Sequence, residues 1–210
     1  MSRVSLNTKK RTQNNIVAVS EKLFTKHGFE HTTIKMIAHE CGIAEGTIFN
    51  YFSTKDDILV AIFDHRVSEH LVINTTLSNR GNLSSLIEQL LLPVTRLRII
   101  PKSMMREIVI ISVKKIKKKP HYLDRFATMD YQHMKQIAEH IKPFIKHDSC
   151  VSAKELSEIV YGTFFIEFMI YLYEKEISFE RFINNVSMKT HHILKPYLEV
   201  NEDGNKINQC

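Results

Sequence analysis

Glycine is scarce in this chain, at six residues in 210, with proline at five and cysteine at three. So little glycine, with no long alternation of apolar and polar residues, excludes a turn-rich β architecture. Apolar positions instead recur at spacings of three and four nearly throughout, which predicts an all-α fold. Cys41, Cys150 and Cys210 are an odd number with no Cys-x-x-Cys and no His/Cys ligand spacing. That argues against a disulfide scaffold or a metal site and suits a reducing cytoplasm. The longest apolar run, Val160 to Tyr173, contains Glu167 and is shorter than the roughly 20 residues a membrane span needs. Met1 to Thr12 is polar and basic and has no apolar segment of a secretory leader. The expectation is a soluble, cytoplasmic chain without a membrane partner. No Ser/His/Asp grouping, phosphate-cradling glycine loop or metal-ligand spacing occurs, so an enzyme, a cofactor and a metal are not expected.

What the chain does contain is ordinary globular composition, 43% hydrophobic and 25% charged, enough to bury a core over one or two domains. Its net charge is +6. In residues 1–55, eight basic residues (Arg3, Lys9, Lys10, Arg11, Lys22, Lys26, Lys35, Lys55) face four acidic ones (Glu21, Glu30, Glu40, Glu45), a surplus of +4. A basic surplus gathered in one segment favours nucleic acid as a partner.

The most informative stretch is 32–52. Thr33 is placed as an N-cap, and Ile34, Ile37, Ala38 and Cys41 follow at i, i+3, i+4 and i+7, the pattern of one short amphipathic helix with Cys41 completing the apolar stripe. Gly42 then supplies a turn with φ > 0, and Ile43 can fill the angle before a second helix from about Glu45 to Tyr51. On that helix Ile48 and Phe52 are predicted to face the core, while Glu45, Gly46, Thr47, Phe49, Asn50 and Tyr51 point elsewhere. Two short helices so joined are a helix-turn-helix, recognition unit 33–52, whose second helix would lie in the major groove of double-stranded DNA. Gly46 allows close approach, and the Asn50 amide can bond adenine in two places. Ser53 and Asp56 have capping-box spacing for the next helix, and Lys55 at its start is expected to clamp a phosphate.

From about Lys10 to His70 the chain resembles the N-terminal domain of the tetracycline-repressor (TetR) family of bacterial transcription regulators. The resemblance is carried by Leu23-Phe24-Thr25-Lys26-His27-Gly28-Phe29, Thr32-Thr33-Ile34, Ile37-Ala38, Gly42-Ile43-Ala44-Glu45-Gly46-Thr47-Ile48-Phe49, Tyr51-Phe52 and Lys55. It covers under a third of the residues. It implies Thr33, Tyr51 and Lys55 at phosphates, and Ala44, Glu45, Gly46, Thr47 and Asn50 at or near base edges, with Phe49 on the same surface. Glu45 stands where the family often has a basic residue, and Asn50 where it often has an aromatic. Glu45 repels phosphate and can accept from cytosine N4.

The domain organisation read from the sequence is a DNA-binding domain at 9–54, a helical ligand-binding and dimerisation domain at 55–198 and a polar tail at 199–210. Helices are expected at about Lys9 to His27 and Lys55 to Leu77, then a break at Asn79-Arg80-Gly81-Asn82. A helix bent or split at Pro93 follows, then one from Pro101 to about Val113, one starting at Pro120, and two more at about Ser152 to Tyr173 and Phe179 to Leu198. The resemblance implies that the last two pair with their copies in a homodimer. It also implies a small-molecule effector lodged among Met104, Ile108, Phe126, Met129, His133, Phe164 and Phe168. The function expected is a ligand-responsive DNA-binding regulator, a repressor released from a near-palindromic operator by a hydrophobic or amphipathic effector. The alternative is a DNA-binding protein on the same scaffold that acts through a protein partner, for which the run Lys114-Lys115-Ile116-Lys117-Lys118-Lys119 is the feature to test.

Three further features have plain readings. His133, His140 and His147 recur by sevens, roughly 10 Å apart at about 1.5 Å rise, too far to share one ion, and read as a solvated stripe. Thr163, Glu167, Tyr171 and Glu174 read as a polar exposed stripe, with a buried acid for a cationic effector as the rival. Tyr161, Phe164, Phe165, Phe168, Met169 and Tyr171 read as core or dimer packing, and as the kind of wall a cavity for an apolar ligand needs.

Overall fold

Capping chemistry sets most of the helix ends. The structure, a computed structural model, describes residues 3–70, 82–116 and 121–199. Among these residues there are nine α-helices and no strand beyond an isolated bridge between Ile145 and Leu198. They are α1 (Arg3–His27), α2 (Ile34–Cys41), α3 (Glu45–Phe49), α4 (Lys55–His70), α5 (Leu83–Thr95), α6 (Lys102–Ile116), α7 (His121–Ile141), α8 (Ala153–Tyr173) and α9 (Phe179–Leu194). Gly28, at φ 83°, ends α1 with its N–H bonded to the Phe24 carbonyl at 2.9 Å. Ser152 and Glu155 form a reciprocal capping box on α8, and Ser178 caps α9 by accepting from Arg181 N.

Several ends differ from those expected. α1 begins at Arg3 rather than near Lys9. Pro93 lies inside α5, which gives way to a 3-10 helix at Arg96–Ile99. α9 stops at Leu194 rather than Leu198, because the segment beyond it pairs with the chain after α7: Lys146 N donates to Tyr197 O at 3.0 Å and Glu199 N to Phe144 O at 2.7 Å. Pro196 was the available signal, since a proline has no backbone N–H with which to continue the helix. The expected residues 71–77 of the fourth helix, most of the break at 79–82, Lys117 to Lys119 and the tail from 200 lie outside the described residues.

The chain clusters into two compact units, 1–70 with 99–117 and 71–98 with 118–210. The boundary expected after residue 54 does not coincide with this division, because α4 packs on α1 and α6 within the first unit. That unit's core is Ile16, Phe24, Phe29, Ile37, Ile48, Phe52, Ile58, Leu59 and Ile62, joined by Met104, Met105 and Ile108 of α6. Each such side chain contributes about 1.5–3 kcal/mol on burial. In the second unit α8 packs between α7 and α9, and α5 packs on both α9 and α7. Leu86, Ile87, Leu90, Ile141, Leu156, Val160, Phe182, Val186 and Leu194 fill that interior.

Candidate nucleic-acid interface

Each turn of the segment 33–55 is held by a local bond. The Thr33 hydroxyl accepts from Met36 N at 3.2 Å, capping α2 as expected. At the other end Gly42 sits at φ 67°, its N–H bonded to His39 O at 3.1 Å while Ile43 N reaches Ala38 O at 3.0 Å. These are the two bonds of a Schellman motif, which turns the chain sharply into α3. Cys41 is half-buried rather than a core residue, and burial, followed by the adjacent Glu40 charge, pushes its thiol above the usual range.

Five residues form α3, with Ala44 extended before it at ψ 148°. The chain stays coiled past its end, since Tyr51 N and Phe52 N both donate to Ile48 O. Ile48 and Phe52 are buried, as their spacing required, and Ile48 anchors the helix to the core. Around it Ala44, Glu45, Gly46, Phe49 and Asn50 are exposed and Thr47 and Tyr51 half-exposed. Phe49 keeps 53% of its surface in solvent. A Cβ added at Gly46 would meet nothing within 4 Å and no positive φ requires glycine there. The fold itself therefore does not demand a glycine, whereas a surface approached by another molecule would.

The expected capping box of Ser53 and Asp56 is displaced by one residue. The Thr54 hydroxyl accepts from Asp57 N at 3.2 Å and donates to the Asp57 carboxylate at 2.8 Å. Lys55 departs from its expected role as well. Its ammonium bonds the carbonyls of Phe29 at 2.7 Å, Thr32 at 3.0 Å and Glu30 at 3.3 Å and lies 4.3 Å from the centroid of the Phe29 ring. An ammonium has three N–H donors, and three carbonyls take them, so Lys55 does not stand as an open phosphate clamp.

The residues expected around an effector fall into different settings. Met104 and Ile108 are buried in the first unit, where the Thr25 hydroxyl reaches the Met104 sulfur at 3.9 Å. Phe164 and Phe168 are half-buried in the second unit, stacked on each other at 5.8 Å and both within about 6 Å of Phe182. His133 is half-buried on α7, and the side chains of Phe126 and Met129 lie outside the described residues. Beside this aromatic group the Tyr161 hydroxyl donates to the Asp130 carboxylate. Burial first, then that carboxylate, raises the Tyr161 phenol far above its ordinary range.

Both polar stripes are corrected. His140 is only 4% exposed, its Nδ1 2.7 Å from Gln136 O, whereas His147 is exposed. Glu167 is 3% exposed and is bonded by the Lys189 ammonium and by Asn185 Nδ2 at 3.1 Å. Burial pushes its carboxyl up, but the bonds from Lys189 and Asn185 outweigh this and leave it below the usual carboxylate range.

From Ile159 onward, what α8 exposes is largely apolar. Ile159, Ile166, Ile170 and Tyr173, at i, i+7, i+11 and i+14, lie in solvent, Ile166 at 60% and Tyr173 at 65%, and Met188 of α9 is exposed as well. A Cβ at Gly162, within this stripe, would meet nothing within 4 Å. By length and composition alone α8 could cross a membrane, contrary to the reading of its apolar run as too short. Leu156, Val160 and Leu172 are nevertheless buried, and the Glu167 charge is paired with α9.

Comparison with known proteins bears on the first unit above all. Residues 16–62 match the sequence profile described as bacterial regulatory proteins, tetR family. The chain is 29% identical over 56 residues to the fatty acid metabolism regulator protein of Bacillus subtilis, covering 27% of this chain and 29% of that one. It is 43% identical over 47 residues to the HTH-type transcriptional regulator HbdR of an Aromatoleum species, 22% of this chain and 20% of that one. The matched segment thus spans under a third of either relative. Similar folds include a TetR-family regulator of Mesorhizobium loti, with TM-score 0.62 at 11% identity, covering 94% of this chain and 100% of that one. A transcriptional regulator of Saccharomonospora viridis, crystallised with choline, has TM-score 0.58 at 18% identity over 89% of this chain and 96% of its own. At these identities the likeness is one of fold.

Proposed function

We propose that the chain, whose residues 16–62 match the profile of bacterial regulatory proteins of the tetR family, is a ligand-responsive transcription repressor that binds a near-palindromic operator as a homodimer. The observation that carries this reading is α3 itself: one buried residue, Ile48, fixes the helix while Ala44, Glu45, Gly46, Phe49 and Asn50 face solvent, and no fold requirement explains the glycine. Such a helix, inserted by its N-terminal end into the major groove, presents Glu45 to cytosine N4, Asn50 to adenine and Phe49 to a thymine methyl. Thr33, which caps α2 by accepting through its oxygen, retains a hydroxyl hydrogen for a phosphate, and Tyr51 has its own phenol for another.

The dimer reading draws on the exposed apolar stripe of α8 and on Gly162, whose open surroundings leave room for a second helix to approach. Two subunits would set their reading helices about 34–36 Å apart, one turn of DNA. An apolar or amphipathic effector would lodge in the second unit beside Phe164, Phe168 and His133. It would release the operator only so far as it binds the non-binding arrangement more tightly, with a coupling of about 1–3 kcal/mol.

The test is fluorescence-anisotropy binding of the purified protein to the DNA upstream of its own gene, at two salt concentrations, against a scrambled duplex. Selective binding at two subunits per site is expected. Equal, salt-sensitive binding to both duplexes would count against an autoregulating repressor and would call for site selection across the genome.

A further inference from the structure

We infer that Lys55 is a positioning residue, whose ammonium ties the helix-turn-helix closed at its base and fixes the angle at which α3 is presented. Residues 29–32 immediately precede α2, and Lys55 follows the short link after α3. The three carbonyl bonds therefore join the two ends of the segment that contains both helices. The carbonyls converge because Thr32, fully buried, donates its hydroxyl to Gly28 O at 2.8 Å and Leu23 O at 3.3 Å, folding the loop inward on the end of α1. Phe29 packs edge-on against Phe24 in the core, and its outer side lies beneath the Lys55 ammonium. Bonds from a charged donor are the stronger kind, and this one is half-buried.

A second tie holds α4 further along. Arg66 Nε and Nη2 donate to the two Glu21 oxygens at 2.8 and 3.0 Å, a bidentate pair between α4 and α1. Three turns, about 16 Å at about 1.5 Å per residue, separate Lys55 from Arg66. With both in place α4 cannot slide along α1 without breaking one, so any displacement of α4 carries the reading helix with it.

This rests on the DNA-binding reading for its consequence, and on the tie's geometry alone for its existence. Lys55→Met keeps the stem over Phe29 and removes the donors; Lys55→Arg keeps the charge on a planar fork that does not match three converging carbonyls. Both are compared with the unsubstituted chain on a duplex it selects from a random-sequence pool and on a scrambled duplex, across a salt series, below the melting temperature of each. Both should lose about tenfold in selective affinity, the equivalent of one charge-assisted bond, with an unchanged salt slope. A slope reduced by about one per subunit in Lys55→Met, restored in Lys55→Arg, would instead make Lys55 a phosphate contact and overturn the inference. Amide exchange supplies an arm independent of DNA: faster exchange across residues 29–54 in Lys55→Met, with α7 to α9 unchanged, supports the tie, and unchanged exchange in 29–54 overturns it. Should Lys55→Met fail to fold, the same two readouts on Lys55→Arg decide. If the unsubstituted chain selects no duplex, the DNA-binding reading fails while the exchange arm still judges the tie.

Discussion

Glu167 stays ionised within an apolar helix because of two partners on α9, Lys189 and Asn185, eighteen or more positions along the chain. Replacing it with Gln keeps the shape and removes the charge-assisted bond, so urea unfolding at neutral pH should show a loss of about 1–3 kcal/mol. The carboxyl's folded pKa lies below its ordinary 4.5. Its contribution is therefore complete above that value and disappears as the pH falls through the lowered one. The midpoints of the unsubstituted chain and Glu167→Gln should converge in acid, and a gap that persists there would contradict the pairing. Phe49 permits an equally local test. Replacing thymidine by deoxyuridine in a selected duplex should cost the unsubstituted chain about 0.8 kcal/mol where Phe49 meets the methyl, and Phe49→Ala nothing further at that position. Lys55 shows the limit of reading a residue by its place in a motif: a lysine at a helix start is the right chemistry for phosphate, but here three backbone carbonyls reach it first.

At the scale of elements, helix existence was legible and helix ends less so. The Schellman turn at Gly42 and the buried Ile48 depend on residues within a turn or two of one another, and both are where the spacing put them. The cap of α4 slipped by one, from Ser53 to Thr54, because adjacent hydroxyls offer the same chemistry and the path of the link selects between them. α9 ended early because the bonds available to residues 195–199 lay on another segment. The exposed face of α8 carries the prediction at this level. Ile166→Glu should abolish self-association, read as a halved mass by light scattering, with the helix content retained, since Ile166 is 60% exposed in the single chain. A dimer that survives the substitution would move the interface elsewhere.

For the whole molecule, the basic surplus in residues 1–55 belongs to the unit that carries α3, so binding to DNA should be strongly salt-dependent even where it is selective. The same unit includes α6, which begins some thirty residues beyond the end of α4 in the chain but packs against it. A displacement of α6 therefore acts directly on the helix that bears Lys55 and Arg66. The chain passes between the two units at 70/71, 98/99 and 117/118.

The sequence by itself determined the helical class, the two short helices and their turn, and which residues of α3 face outward. These follow from periodicity and capping, whose partners lie within a few residues. Only the tertiary structure decided that Lys55 holds a loop, that Glu167 and His140 are buried, and that α8 is apolar on a face its own unit leaves uncovered. Each of those depends on groups brought together from distant parts of the chain, and burial and hydrogen bonding are properties of that meeting rather than of the residue.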